Sequence, residues 1–205
     1  MDSEKAAIRA ATPTMSDGLA FAGYVDIASE GGFRKAFGRG FEEIIASAFI
    51  QPGHDLSYEY AAFAERKDGI VGMVSGFTAE QHAGSSSLPI REAPGNRFRR
   101  AIGLAFLGVF QRIIGGHSDG EFYLQFLAVD EECRGMGIGT SLLGFMEERA
   151  RADGCARFTI DVSAKNHGAA RLYERCGMTE VPAASKHSFR RLVVRRLAKD
   201  LEGKI

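Results

Sequence analysis

What this chain lacks narrows the field first. No apolar stretch is long enough to cross a bilayer. The uninterrupted run at 101–110, Ala-Ile-Gly-Leu-Ala-Phe-Leu-Gly-Val-Phe, is followed at once by Gln111 and Arg112, whereas a spanning helix needs about twenty residues. No membrane partner is therefore expected. Charge of one sign is also missing in excess: Lys plus Arg number 26 and Asp plus Glu number 26. That balance argues against a general nucleic-acid binder, so no nucleic-acid partner is expected. Cysteine is sparse, with only Cys133, Cys155 and Cys176. An odd count at irregular spacing shows no zinc pattern and suits reduced thiols. The first residues, with Asp2, Glu4 and Lys5, lack the apolar core of a signal peptide. Together these predict a cytoplasmic protein. No internal repeat is evident, and 205 residues suit one domain, 1–205, around a single core.

Two common phosphate motifs are absent as well. A Walker A turn needs a Gly-Lys-Ser/Thr ending, and none occurs. The dinucleotide pattern Gly-x-Gly-x-x-Gly would need glycine at position 140 or 142, where Thr140 and Leu142 stand. What is there is a third arrangement. Residues 122–129, rich in aromatic and aliphatic side chains, read as a strand. Ile138, Leu142, Met146 and Ala150 recur at four-residue steps and mark one apolar face of a helix. Between them lies Arg134-Gly135-Met136-Gly137-Ile138-Gly139-Thr140. Glycines allow a tight turn and close backbone approach. The first amides of the helix lack internal partners and sit at its positive end. Strand, turn and helix start make a seat for a phosphate or pyrophosphate, although a glycine turn alone is equally a structural helix start.

Arg134, Gly137 and Gly139 match Arg-x-x-Gly-x-Gly. With the strand before it, this resembles the GCN5-related N-acetyltransferase (GNAT) superfamily, whose signature is Gln/Arg-x-x-Gly-x-Gly/Ala between a central strand and a helix. A second segment supports the resemblance. Phe158-Thr159-Ile160-Asp161-Val162, then Asn166, Ala169, Leu172-Tyr173 and Gly177-Met178, look like the family's strand followed by Asn-x-x-Ala-x-x-Leu-Tyr-x-x-x-Gly-Phe/Met. The likeness covers about 122–181 and weakens over the N-terminal half.

The resemblance implies an α/β fold: a mixed, mostly antiparallel sheet, splayed beside the central strand and flanked by helices. It implies acetyl-CoA as donor, with no metal. Amides of Arg134, Gly135, Met136, Gly137, Ile138, Gly139 and Thr140 would surround the pyrophosphate. Leu127, Ala128 and Val129 would pair their backbone with the pantetheine arm. Asn166, which is equally a helix-cap asparagine, would bond the pantetheine or hold the splay open. A backbone amide near Val129 would polarise the thioester carbonyl. Tyr173 would donate its phenolic proton to the departing sulfur, its plain alternative being a packed aromatic. For the base, Glu121 stands two residues before Tyr123, on the same strand face, and would act through water. His54, Glu59 and His117 are alternatives, and each is equally an ordinary surface residue. Cys133 is not expected to be a nucleophile, because the family transfers the acyl group directly in a ternary complex.

The expected acceptor is a primary amine on a small or amino-acid-like molecule. A protein N-terminus or lysine is the alternative acceptor, and a non-catalytic acyl-CoA sensor is the alternative of another class. Acceptor-side elements are expected over about 30–116. In chain order the sequence predicts a loose lead-in at 1–17, a first strand at 19–28, and one amphipathic helix from Phe33 to Ile50. Strands at 58–66 and 70–78 flank a hairpin turn at 67–69. A surface loop follows at 81–96, then a half-buried helix at 101–110 that would wall the acceptor pocket or form a homodimer contact. A short strand at 178–181, a loop at 182–187 and a last strand at 188–196 close the chain. Arg190, Arg191, Arg195 and Arg196 read as a solvated face.

Overall fold

The computed structural model describes residues 6–114, 118–181 and 194–201. Seven strands form one sheet: β1 (Ala7–Ala10), β2 (Ala61–Arg66), β3 (Gly69–Thr78), β4 (Glu121–Val129), β5 (Arg157–Ser163), β6 (Thr179–Glu180) and β7 (Val194–Asp200). Their spatial order is β1-β2-β3-β4-β5-β7-β6. Every neighbouring pair is antiparallel except β4 and β5, and β4 lies in the middle. The helices are α1 (Met15–Ala28), α2 (Gly32–Phe37), α3 (Phe41–Phe49), α4 (Ala79–Ala83), α5 (Leu88–Glu92), α6 (Arg97–Ile114), α7 (Ile138–Ala152) and α8 (His167–Arg175). No helix among the described residues is long and apolar enough to cross a membrane. The mostly antiparallel sheet flanked by helices agrees with the expected fold class.

Several expected elements differ. Residues 19–28 belong to helix α1, not to a strand. Its faces are apolar on both sides: Phe21, Tyr24 and Val25 are buried, while Met15, Leu19 and Ile27 are exposed. Its inner side also buries Asp17 and Asp26, so apolar and polar residues do not separate onto two faces and no clear period shows. Its start is set by Thr14, whose side chain accepts from the Asp17 amide, a standard N-cap. The expected lead-in contains β1, which extends the sheet beside β2. The single helix expected from Phe33 to Ile50 is two. The break falls at Gly38 and Gly40, with φ of 75° and 79°, a left-handed conformation that interrupts any helix. Tyr58–Tyr60 is a turn of 3-10 helix before β2, and the expected loop at 81–96 holds the end of α4 and all of α5. The loop at 182–187 and positions 188–193 of the last strand, with Arg190 and Arg191, lie outside the described residues.

The sheet divides two packed layers. On one side Phe21, Phe33, Phe37, Phe49, Phe63, Phe126 and Ala128 join α1, α2 and α3. On the other, Phe122, Leu124, Leu142, Met146, Phe158 and Tyr173 join α7 and α8. Strand alternation alone would send Phe122, Leu124 and Phe126 to one face. A bulge prevents that. Ser75 of β3 pairs with Phe126 and Gly76 with Leu124, leaving Gln125 as the extra residue. The extra residue reverses the facing of everything after it.

Gly76 sits against this bulge. A Cβ there would lie 2.5 Å from Cε1 of Phe122 and 2.7 Å from the carbonyl oxygen of Tyr123. Neither the buried ring nor the strand backbone yields cheaply. Gly76→Ala is expected to lower stability by about 2 kcal/mol, as overpacked core sites do. Urea unfolding checks it, and an unchanged midpoint would show that the bulge can relax.

Candidate active site

The turn between β4 and α7 is built by its glycines. After a short 3-10 turn at Glu131–Cys133, Gly135 and Gly137 take φ of 80° and 82°, which L side chains adopt at a cost. Gly137 is the N-cap of α7, and no side chain caps the helix there. Its first amides are thus open to an anion, with the helix dipole behind them. Arg134 ties the turn to the strand end, its Nε donating to the Val129 carbonyl at 3.2 Å. Gly139 has a different task. A Cβ on it would come within 3.1 Å of a Leu172 methyl, so its absence lets α7 settle against α8.

A cavity of about 690 Å³ begins at this turn. β4 and β5 are paired only from Glu121 with Arg157 to Leu124 with Ile160. Beyond that couple the strands part, and the cavity runs between them. Leu127, Ala128 and Val129 line it from β4, as do Gly135, Gly137, Ile138, Gly139 and Thr140 from the turn. Met136 does not line it and is exposed. Asn166 lines it while its side-chain oxygen caps α8, accepting from the Ala169 amide at 3.0 Å. Tyr173 lines it too and is only 3% exposed. Burial pushes its phenol well above the ordinary tyrosine range, with a smaller contribution from Cys176. It therefore stays protonated across the usual working pH. At its other end the cavity meets Ile27 and Ala28 of α1, Gly32 of α2 and Phe106 of α6. No residue of 81–96 lines it, although that segment was expected beside the acceptor.

The cavity wall holds a charged group that the sequence did not single out. Tyr123 and Asp161 both line the cavity. Arg196 grips Asp161 with two bonds, Nη2 to Oδ2 at 2.6 Å and Nε to Oδ1 at 2.9 Å. Both side chains are nearly sealed from solvent, at 10% and 4% exposure. Arg196, expected on a solvated face, is buried. Burial raises the Tyr123 phenol well above its ordinary range, and the Asp161 carboxylate adds to this through its charge and as a hydrogen-bond partner. A lone acid within the apolar run Phe158-Thr159-Ile160-Asp161-Val162 was the available signal, because an acid on a strand's buried face needs a partner.

The candidate bases fall in different places. Glu121 shares a strand face with Tyr123 but does not line the cavity. Its Oε2 accepts from the Ser118 amide at 3.1 Å, and its charge acts on Arg196. His54 is buried with both nitrogens engaged: Nε2 lies 2.9 Å from the Ala48 carbonyl, and Nδ1 accepts from the Leu56 amide at 3.3 Å. A carbonyl only accepts and an amide only donates, so the neutral tautomer is fixed. Burial also holds its pKa below the ordinary value. Glu59 accepts from the Gly53 amide at 2.8 Å and from the Ser57 hydroxyl at 3.3 Å, which is turn chemistry. His117 lies outside the described residues. Among those described, no group of three or more His, Cys, Asp or Glu could hold a metal ion.

The chain belongs to the Acetyltransferase (GNAT) family, whose model matches residues 32–178. It is 42% identical over 69 residues to the acetyltransferase Atu2258 of Agrobacterium fabrum, covering 34% of this chain and 49% of that protein. It is 30% identical over 120 residues to the uncharacterized N-acetyltransferase YobR of Bacillus subtilis, covering 57% and 45%. The chain thus spans about half the length of the curated relatives it matches. Among solved structures, an acetyltransferase aligns over 96% of this chain and 100% of its own, at 24% identity and a TM-score of 0.70. An N-acetyltransferase from Staphylococcus aureus Mu50 aligns over 95% and 100%, at 16% identity and a TM-score of 0.74. These two likenesses establish the fold.

The Asp161–Arg196 ion pair makes a stability test. Asp161→Ala leaves a buried guanidinium without its bidentate partner, and breaking such a pair costs about 3 kcal/mol or more. Urea unfolding should show that loss. A change below about 1 kcal/mol would mean that water reaches Arg196.

Proposed function

We propose that this protein transfers an acetyl group from acetyl-CoA to a primary amine of a small molecule, by direct attack in a ternary complex. The observation that carries this reading is the parting of β4 and β5 beyond Leu124, with the uncapped start of α7 at one end and buried Tyr173 lining the space.

Each part has a task. The amides from Arg134 to Thr140 receive the pyrophosphate at the positive end of α7. The free edge of β4 at Leu127, Ala128 and Val129 takes the pantetheine arm as an added strand. Asn166, already capping α8, keeps the mouth of the gap in place. At the reacting centre the neutral amine's lone pair forms the C–N bond as the C–S bond breaks. A backbone amide at the end of β4 polarises the carbonyl. Tyr173 gives its proton to the departing sulfur and regains one from solvent. The proton lost by the amine leaves through water; Glu121 lies outside the cavity, so it would take that proton only at the far end of a water chain along β4. No metal is needed for any of these steps.

Two measurements test the reading. Gly137→Asp places a negative charge where the pyrophosphate would sit, and calorimetry should show acetyl-CoA affinity falling at least tenfold, about 1.4 kcal/mol. Gly137→Asn is the control, because asparagine tolerates the left-handed conformation without charge. Equal losses in the two variants would make the glycine turn merely structural. Tyr173→Phe removes one oxygen and keeps the ring. Turnover of the best amine in a panel should fall roughly ten- to a thousandfold, with acetyl-CoA affinity unchanged. Full turnover would reject the acid role, and lost affinity with normal turnover would make Tyr173 a binding residue.

A further inference from the structure

The outer side of α6 takes no part in the cavity. At about 100° per residue, Phe98, Ile102, Ala105 and Val109 fall within roughly 60° of one another on this helix. The first three are exposed, Phe98 to 72%, and Val109 is half-buried. Gly103 and Leu107 hold the opposite side. Leu107 packs against the core under α1 to α3, and a Cβ on Gly103 would overlap the Phe37 ring of α2. That close seating on α2 fixes which way the stripe points. Asn96 fixes where it begins: its side-chain oxygen accepts from the Phe98 amide at 2.9 Å and the Arg99 amide at 3.2 Å. Phe98 therefore stands on a capped first turn.

Isolated exposed apolar residues call for no explanation, but this stripe is bracketed by charge. Arg97 and Arg99 precede and follow Phe98, so they stand on its two flanks. Both are exposed. The Arg99 guanidinium lies against Gly38, with exposed Arg39 next in the chain. Arg100 instead donates to the Ala93 and Gly95 carbonyls. On α5, which packs beside α6, Leu88 and Arg91 are exposed. Positions 88–114 hold five arginines and one acid, Glu92, in a chain with 26 charges of each sign. The other nearby acid is Glu30, two residues before Gly32, which meets Phe106. An apolar stripe edged by arginines is what a helix lying in a lipid headgroup layer presents: the apolar side enters the acyl boundary and the arginines reach the phosphates. Nucleic acid offers phosphates but no apolar phase for Phe98 and Ile102. A second copy would set this patch against itself, and the same positive excess would meet.

We propose that the outer side of α6, with Arg91 beside it, docks on the surface of an anionic lipid bilayer, Phe98 and Ile102 entering the boundary between headgroups and acyl chains while Arg97 and Arg99 pair with lipid phosphates. Docking at a surface needs no spanning helix, so the expectation of no membrane partner, drawn from the lack of one, does not bear on it. None of these residues lines the cavity, and the proposal stands apart from the transfer reading.

The test is flotation of the full chain with vesicles of phosphatidylcholine alone and of phosphatidylcholine mixed with phosphatidylglycerol, at low and high salt. The chain should float with the mixed vesicles and stay behind with phosphatidylcholine alone, and salt should weaken the binding. Phe98→Ser should weaken it about tenfold, as losing a buried aromatic ring does, and should keep the parent's urea midpoint because the side chain is exposed. Arg97→Gln and Arg99→Gln should weaken binding roughly fivefold each at low salt. Binding that is equal on both kinds of vesicle, absent from both, or unchanged in Phe98→Ser overturns the proposal. Tighter binding to a short DNA duplex than to the mixed vesicles overturns it as well. So does a parent chain that sediments as a dimer and becomes a monomer in Phe98→Ser, since a second copy would then cover the stripe.

Discussion

Everything at the candidate site follows from one backbone constraint: past Leu124, β4 has a sheet neighbour on only one side. The N–H and C=O groups on its other edge have lost β5 and still need partners. A sheet normally avoids this by continuing its ladder or by covering the edge. Here the two strands are held apart, and the unpaired edge becomes one wall of a cavity. An extended ligand arm bearing amides can restore the missing ladder. Under the proposed function the fork takes a strand-like ligand, and the anion seat at the start of α7 fixes which end of that ligand goes where.

Holding the fork open needs structure on the far side of β5. The antiparallel β5–β7 pairing runs the full length of β5 and places Asp161 directly opposite Arg196. Their two-bond grip therefore joins the strands across the sheet at the first position where β5 has left β4. Such a buried pair contributes little net stability against an apolar pair of similar size. Its worth lies elsewhere: it draws β5 toward β7 and holds a carboxylate beside the cavity in a fixed orientation. The bulge at Gln125 acts on the opposite side. It lets Phe122 and Leu124 pack under α7 while Phe126 and Ala128 pack under α1 to α3, so one strand serves both cores on either side of the fork.

Much of this could be read from the sequence, and physical chemistry explains what could not. The glycine turn was legible because left-handed residues and uncapped amides demand particular residue types at particular spacings. Asn166 and Tyr173 were legible as part of a second motif. Helix α1 was misread as a strand because Phe21, Tyr24 and Val25 face the core while Met15, Leu19 and Ile27 are apolar on the outside. A pattern without a polar face carries no period. The bulge left no mark either, since Gln125 reads as one polar residue in an apolar strand. Arg196 looked solvated among its basic neighbours, and only the β5–β7 register reveals that it meets Asp161.

The same difference divides the cavity into a legible half and an illegible one. The end at the glycine turn is made largely of backbone: the edge of β4, the amides that open α7 and the glycines that shape the turn. Backbone sites constrain sequence locally, so contiguous residues announce them. The rest of the cavity is assembled from single side chains on α1, α6, β4 and β5, with Ile27 and Asp161 far apart in the chain. No local rule links them. Their meeting depends on helix packing over the sheet and on which way the bulge turns the strand. A chain can therefore declare one end of its cavity plainly while the other rests on single residues whose meeting is geometric.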